Sequence, residues 1–162
     1  MSADPKPVRA SQSEMTELVL PNDANIVGAI LGGRVMHLVD LCAAIAACRH
    51  AGAIAVTAAV DHMDFRYPIH VGELVVLKAS VNRAFHTSME VGVKVFAESM
   101  LDGTRRHTSS AYLTFVALDD HGQCLPVPPV LPETDDERRR YEQAATRRAY
   151  RLSHRQRSGP AA

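Results

Sequence analysis

The chain has 162 residues, 46% of them hydrophobic and 22% charged, with 18 basic residues balanced by 18 acidic ones. This is the composition of one domain around one core, and zero formal net charge supplies no general field to draw in nucleic acid or an anionic membrane surface. Three cysteines give neither an even disulfide framework nor a C-x-x-C pair, which reads as buried thiols in a reducing, cytoplasmic compartment, and no run near 18 apolar residues marks a membrane span.

Residues 1–13 are polar and broken by proline, without the apolar centre of a secretion signal, and are expected to be a disordered lead-in. ELVL at 17–20 is rich enough in branched residues for a first strand, which Pro21 ends. From Gly33 to His50 the positions Val35, Leu38, Val39, Cys42 and Ala46 recur at helical spacing. Most other positions there are alanine or isoleucine, so the expected helix is apolar on nearly every side and should be enclosed. Gly52 is a natural stop.

The period then changes to two. Residues 53–60, 62–67, 73–85, 88–99 and 104–118 each read as strands, with turns at 68–72, 101–103 and 119–122. In the segment at 88–99, Met89, Val91, Val93 and Val95 face one way while Glu90, Lys94 and Glu98 face the other, the pattern of a strand with one wet face. The expected class is α+β, one curled antiparallel sheet wrapped on one helix and spanning 14–131. A proline-rich stretch leads into 132–162, where eight arginines stand against five acids. Thr134 is its expected N-cap, with acids in the first turn and arginines toward the end, the grammar of a surface helix that packs one side on the sheet or a neighbouring subunit.

Asp40 is the residue that asks for explanation, because carboxylates inside apolar helices are rarely without a partner. Gly33, Met36, His37, Asp40, Ala44 and Ala47 share one helical face, which leaves room beside the carboxylate. Asp40 can serve as a general base toward water, or simply bond a backbone group or an arginine such as Arg34 or Arg66. Asn25 is either a turn residue or an amide donor to a carbonyl, acting with the backbone N–H groups of Gly32 and Gly33 at the positive end of the helix. The histidines at 62, 70, 86, 107 and 121 lack ligand spacing, there is no G-x-S-x-G elbow, and FHTS at 85–88 is a tight junction whose hydroxyls and N–H groups can hold a phosphate.

The segment PNDANIVGAILGGRVMHLVD, followed by CRHAG, HMDFRYPIHVGE, FHTSMEV and RRRYEQ, resembles the hotdog-fold acyl-CoA thioesterases, especially the cytosolic acyl-CoA hydrolase branch. The resemblance implies a hotdog fold, a curved sheet around a long helix with a C-terminal helix, working as a homodimer and often as a hexamer. It implies hydrolysis of an acyl-CoA to free CoA and a carboxylic acid, with no cofactor beyond the CoA moiety of the substrate. Asp40 would activate water or else attack as a nucleophile, Asn25 and the Gly33 N–H would polarise the carbonyl, and the two side chains would come from different subunits. CoA contacts would fall near Gly32, Asp64, Arg66, His86, Thr87 and Ser88. Leu31 stands where relatives often carry a polar or aromatic residue, which bears on acyl-chain preference.

Three rivals stay open. A hotdog dehydratase would carry a histidine ahead of the helix where this chain has Asn25, an acyl-CoA sensor would share the pocket without turnover, and a nucleic-acid module would rest on the arginine-rich tail.

Overall fold

The computed structural model describes residues 3–157. Its elements are β1 (Lys6–Pro7), β2 (Ser13–Leu18), α1 (Gly32–Ala51), β3 (Ile54–Val60), β4 (Leu74–Ala84), β5 (Ser88–Glu98), β6 (Arg105–Leu118), β7 (Val130–Leu131) and α2 (Asp135–Arg157). Five strands form one antiparallel sheet in the order β2-β4-β5-β6-β3. This is the α+β arrangement that the alternation and the resemblance both imply.

Period-two alternation on β4, β5 and β6 decides which face carries the core. Val75, Leu77, Ala79 and Val81, then Met89, Val91, Val93 and Val95, then Ala111, Leu113, Phe115 and Ala117 are all buried on one side. Against them α1 sets Val35, Leu38, Val39, Cys42, Ala43, Ala46 and Ala47. The small side chains let the helix approach the sheet closely, so the core is thin and tightly filled. Gly52 closes the helix at φ 66°, donating its N–H to the Cys48 carbonyl at 2.9 Å.

Of the three cysteines expected to be buried, only Cys42 is; Cys48 is half-buried and Cys124 exposed. The structure corrects five further expectations. The lead-in is folded from Lys6 onward, because β1 pairs in parallel with β7, Val8 enters the core and Ser11 Oγ accepts the Val81 N–H; residues 1 and 2 lie outside the described residues. The first strand runs earlier than 17–20, over Ser13–Leu18, since its register against β4 is set from Ser13 opposite Ala79. Residues 62–67 form no strand: the segment continues β3 along the edge of β6 with backbone bonds only from Asp61 to Tyr112 and from Arg66 to Thr108, and Pro68 restricts its end.

The fourth correction concerns the helix, which one chain does not enclose. Met36, Leu41 and Ile45 are 40–45% exposed along one stripe, and Asp40 lies on that open side half-buried rather than sealed. The fifth concerns the wet face of β5. Glu90 is 1% exposed, because α2 lies across that face and Arg147 reaches it with two bonds of 2.7 and 3.0 Å while Asn82 donates a third of 2.9 Å.

α2 begins as its sequence directs. The Thr134 hydroxyl accepts the Glu137 N–H at 3.1 Å and Glu137 reaches back to the N–H groups of Thr134 and Glu133. Its guanidinium groups then hold the sheet: Arg147 lies 3.7 Å over the Tyr112 ring, and Arg151 pairs with Asp61 at 3.2 Å.

Candidate active site

Asn25 sits in a tight loop closed by the bridge between Ala24 and Ile30, in which Gly28 takes φ 79°. Its side-chain Oδ1 accepts the N–H of Val27 at 3.0 Å and of Ala29 at 3.2 Å. Asn25 is therefore a turn residue whose amide nitrogen has no partner among the described residues. With the oxygen fixed by the loop, the amide NH2 is the end left to project.

That loop walls a cavity of about 380 Å³ whose lining includes Asn25, Ile30, Gly32, Val35, Phe65 and Arg66. The helix start supplies further donors. Leu31 at the N-cap has no side chain with which to cap, and the first helical bonds are donated by Arg34 and Val35 to the Leu31 carbonyl, which leaves the N–H groups of Gly32 and Gly33 without a partner among the described residues. A Cβ on Gly32 would rest 3.5 Å from the Phe65 ring, whereas Gly33 faces open space. Donors at the positive end of a helix suit an oxygen that gains negative charge.

Asp40 is held elsewhere. Thr57 of β3 donates its hydroxyl to Asp40 Oδ1 at 2.5 Å, and Oδ2 has no partner among the described residues. Arg34, which sequence offered as a partner, instead pairs with Glu17 at 2.9 Å and Asp23 at 3.3 Å. Thr57 was not singled out from the sequence, because a threonine in an alanine-rich strand has no local signal; only the packing of β3 beside α1 brings it to the carboxylate.

Within one chain the two halves stay apart. Eight residues of helix carry Asp40 about 12 Å beyond Gly32 along the axis. Thr57 pairs with Phe115, while the Asn25 cavity lies against Thr108 and Ser109, a separation along β6 of about 20 Å. His86, Thr87 and Ser88 share the Asp40 end, since Ser88 is opposite Val116. Their carbonyls are spent in the fold, accepting Val127, Ala117 and Phe85 N–H groups respectively, and Arg148 lies 4.5 Å over the neighbouring Phe85 ring. Arg66 and Asp64 belong to the other end; Arg66 lines the Asn25 cavity, and exposed Asp64 pairs with His62 at 3.0 Å.

Burial pushes the Cys42 thiol up to about 11, away from a nucleophilic thiolate. Among the described residues no group of three or more His, Cys, Asp or Glu side chains is placed to hold a metal, and no helix is long and apolar enough to cross a membrane.

The sequence model of the Thioesterase superfamily matches residues 27–104. Protein VdlD of Helicobacter pylori is 39% identical over 137 residues, covering 85% of this chain and 78% of that protein. The human cytosolic acyl coenzyme A thioester hydrolase is 36% identical over 149 residues, covering 91% of this chain and 39% of its own length. The chain thus spans about two fifths or less of the mammalian relatives it matches. A solved apo-hexameric acyl-CoA thioesterase superposes with a TM-score of 0.90 at 39% identity, over 98% of this chain and 100% of the other. An acyl-CoA hydrolase from Staphylococcus aureus, in complex with butyryl coenzyme A, coenzyme A and coenzyme A disulfide, has a TM-score of 0.89 at 38% identity over 94% and 93% of the two chains. Variants of that protein with an aspartate, a threonine or an asparagine changed to alanine have also been solved.

Proposed function

Because the chain belongs to the Thioesterase superfamily, we propose that it hydrolyses acyl-CoA thioesters at a site shared by two copies of itself. The observation that carries this reading is the division of the site within one chain: a fixed amide and two free helix N–H groups at one end, a hydroxyl-anchored carboxylate at the other. Neither half reaches the other. β3 is an edge strand, and Ile54, Val56 and Val60 on it are exposed beside the apolar stripe of α1. Unpaired edges of this composition favour pairing with another strand. A two-fold axis makes such pairing antiparallel, which sets the Asp40 end of one copy against the Asn25 end of its partner. Two sites per dimer follow, and further assembly to a hexamer accords with the hexameric relative.

In each site Asp40 Oδ2 takes a proton from water while Thr57 holds Oδ1. The hydroxide adds to the thioester carbonyl carbon, and the resulting oxyanion is met by the Asn25 amide and the Gly33 N–H. Collapse breaks the carbon–sulfur bond, and the CoA thiolate leaves with the proton Asp40 had taken. No cofactor enters this route. The asparagine, aspartate and threonine replaced in the Staphylococcus aureus variants are spaced as Asn25, Asp40 and Thr57 are here, which supports assigning these three to one site. CoA would run from the acyl end near Gly32 of one copy toward His86, Thr87 and Ser88 of the other, where Arg148 adds positive charge, with Arg66 lining the Asn25 cavity and Asp64 two residues before it. A cytoplasmic location accords with this substrate.

Co-expression of differently tagged Asn25→Ala and Asp40→Ala chains tests the division. Each parent has no intact site, whereas a mixed dimer has one intact site and one doubly damaged site. Random exchange makes half the dimers mixed, so thiol release should recover to about one quarter of wild type. Verified mixed dimers no more active than the parents would refute the shared site.

A further inference from the structure

Three buried side-chain atoms lack a hydrogen-bond partner among the described residues: His50 Nδ1, Thr114 Oγ1 and Ser109 Oγ. Of these, only the last belongs to a residue that lines the Asn25 cavity. Ser109 is 2% exposed and continues the inward series of β6 that runs through Ala111, Leu113, Phe115 and Ala117, opposite buried Val95 on β5. Alternation therefore turns its hydroxyl to the α1 side of the sheet, where Gly32 and Val35 wall the same cavity. Every other position in that series is apolar, so a serine here departs from the pattern at the one place where the strand meets the cavity. A buried hydroxyl without a partner is costly, and inside a cavity it is a group for a ligand atom to satisfy.

The rest of the wall narrows the chemistry. Ala29, Ile30, Val35, Phe65 and Ile69 offer only apolar side chains. The Thr108 hydroxyl is spent on the Val95 carbonyl at 3.1 Å, and Asn25 Oδ1 on the loop N–H groups. Arg66, the one charged residue in the lining, is exposed, so no cation of the wall balances a carboxylate brought to the buried Ser109 hydroxyl. A neutral oxygen suits it, since a hydroxyl can donate to a ketone and can donate to or accept from another hydroxyl.

We infer that Ser109 determines specificity at the proposed hydrolase site, and that the acyl chains it selects carry a neutral oxygen, as a hydroxyl or a ketone; this rests on the hydrolase reading of the site. With the thioester carbonyl at the Asn25 amide and the Gly33 N–H, the acyl chain occupies the cavity that Asn25 and Ser109 both line and brings its oxygen to the Ser109 hydroxyl. A plain hydrocarbon chain leaves that hydroxyl buried and unpaired in the complex. Discrimination comes from this difference, as in any site built to bond a polar group of its substrate.

Values of kcat/KM from thiol release test this in pairs: 3-hydroxybutyryl-CoA and acetoacetyl-CoA each against butyryl-CoA, and 6-hydroxyhexanoyl-CoA against hexanoyl-CoA. An oxygen substituent also alters the intrinsic reactivity of a thioester, so each wild-type ratio is divided by the same ratio in Ser109→Ala. In at least one pair the quotient should be about ten, the worth of one neutral hydrogen bond. Ser109→Cys, close in size and only a weak donor, should match Ser109→Ala and takes its place if the alanine variant does not assemble. Quotients near one in every pair, with the plain esters still turned over, overturn the inference and leave the hydrolase reading standing, the hydroxyl then serving the fold or a water. No turnover of any of these esters by the assembled wild type refutes that reading and the inference with it.

Discussion

Replacing Arg147 with methionine isolates the contact by which α2 holds the sheet. The change keeps an apolar stem over Tyr112 and removes the charge. Glu90, with a side chain 2% exposed, is then left with one bond, from Asn82, and no cation. Breaking a buried pair by removing one partner costs about 3–5 kcal/mol. The opposite change, Glu90→Gln, strands Arg147 instead, and that side chain is 24% exposed and can turn to water. Its cost should be about 1–2 kcal/mol, near that of a bond to a charged group. The order of the two is the test, because it follows from burial and not from bond count. Urea unfolding at one fixed protein concentration, where the degree of association is the same, should rank Arg147→Met below Glu90→Gln below wild type. For a chain of this size a 3 kcal/mol loss lowers Tm by roughly 10 °C. The double variant should lie above the sum of the singles by about 1 kcal/mol or more, since neither residue is then stranded as an ion. Singles of equal cost, or effects that simply add, would refute this account of the contact.

Thr57→Val should lower kcat by about tenfold with KM little changed, the worth of one hydrogen bond to a charged group, as read by thiol release from short and long acyl-CoA esters; an unchanged kcat would show that the Thr57 bond does not serve the carboxylate. Stability should fall on acidification through His50. Its ring is fully buried, with Nε2 donating to the Pro128 carbonyl at 2.8 Å and Nδ1 unpartnered; burial, against the Pro128 bond and with help from Lys6, holds its pKa below 6.5. The unfolded chain therefore binds more protons below pH 6.5, so this contribution is constant above that value and lost beneath it, and His50→Gln should flatten the slope of unfolding free energy between pH 6.5 and 5.

The strands were legible because alternation survives wherever one face is core, as on β4, β5 and β6. It misled at 62–67, where Met63 and Phe65 alternate with polar residues without a partner strand to pair. Phe65 instead covers Gly32 and lines the Asn25 cavity. Glu90 misled for a related reason. A carboxylate in an alternating strand reads as solvent-facing, and the arginine that buries it lies 57 residues further on. Local pattern carries no information about a helix that returns from the far end of the chain.

The candidate site divides along the same line. Asn25, Gly32, Gly33 and Asp40 were visible because they lie within sixteen residues, where loop, helix start and helix face fix their relation. Thr57 was invisible, since its role depends on β3 lying beside α1. The apolar character of α1 was read correctly and its meaning was not: a helix apolar on nearly every side must be enclosed, yet the chain's own sheet covers only the face bearing Val35, Leu38, Cys42 and Ala46. Met36, Leu41 and Ile45 remain outside, flanking Asp40. A stripe of that kind is unfavourable in an isolated monomer and ordinary within an interface. The same apolar surface also carries Asp40, the carboxylate that a partner would complete in the proposed site. On the proposed shared site an unassembled chain is inactive, so turnover should depend on concentration as association does, and dilution should silence it before it unfolds.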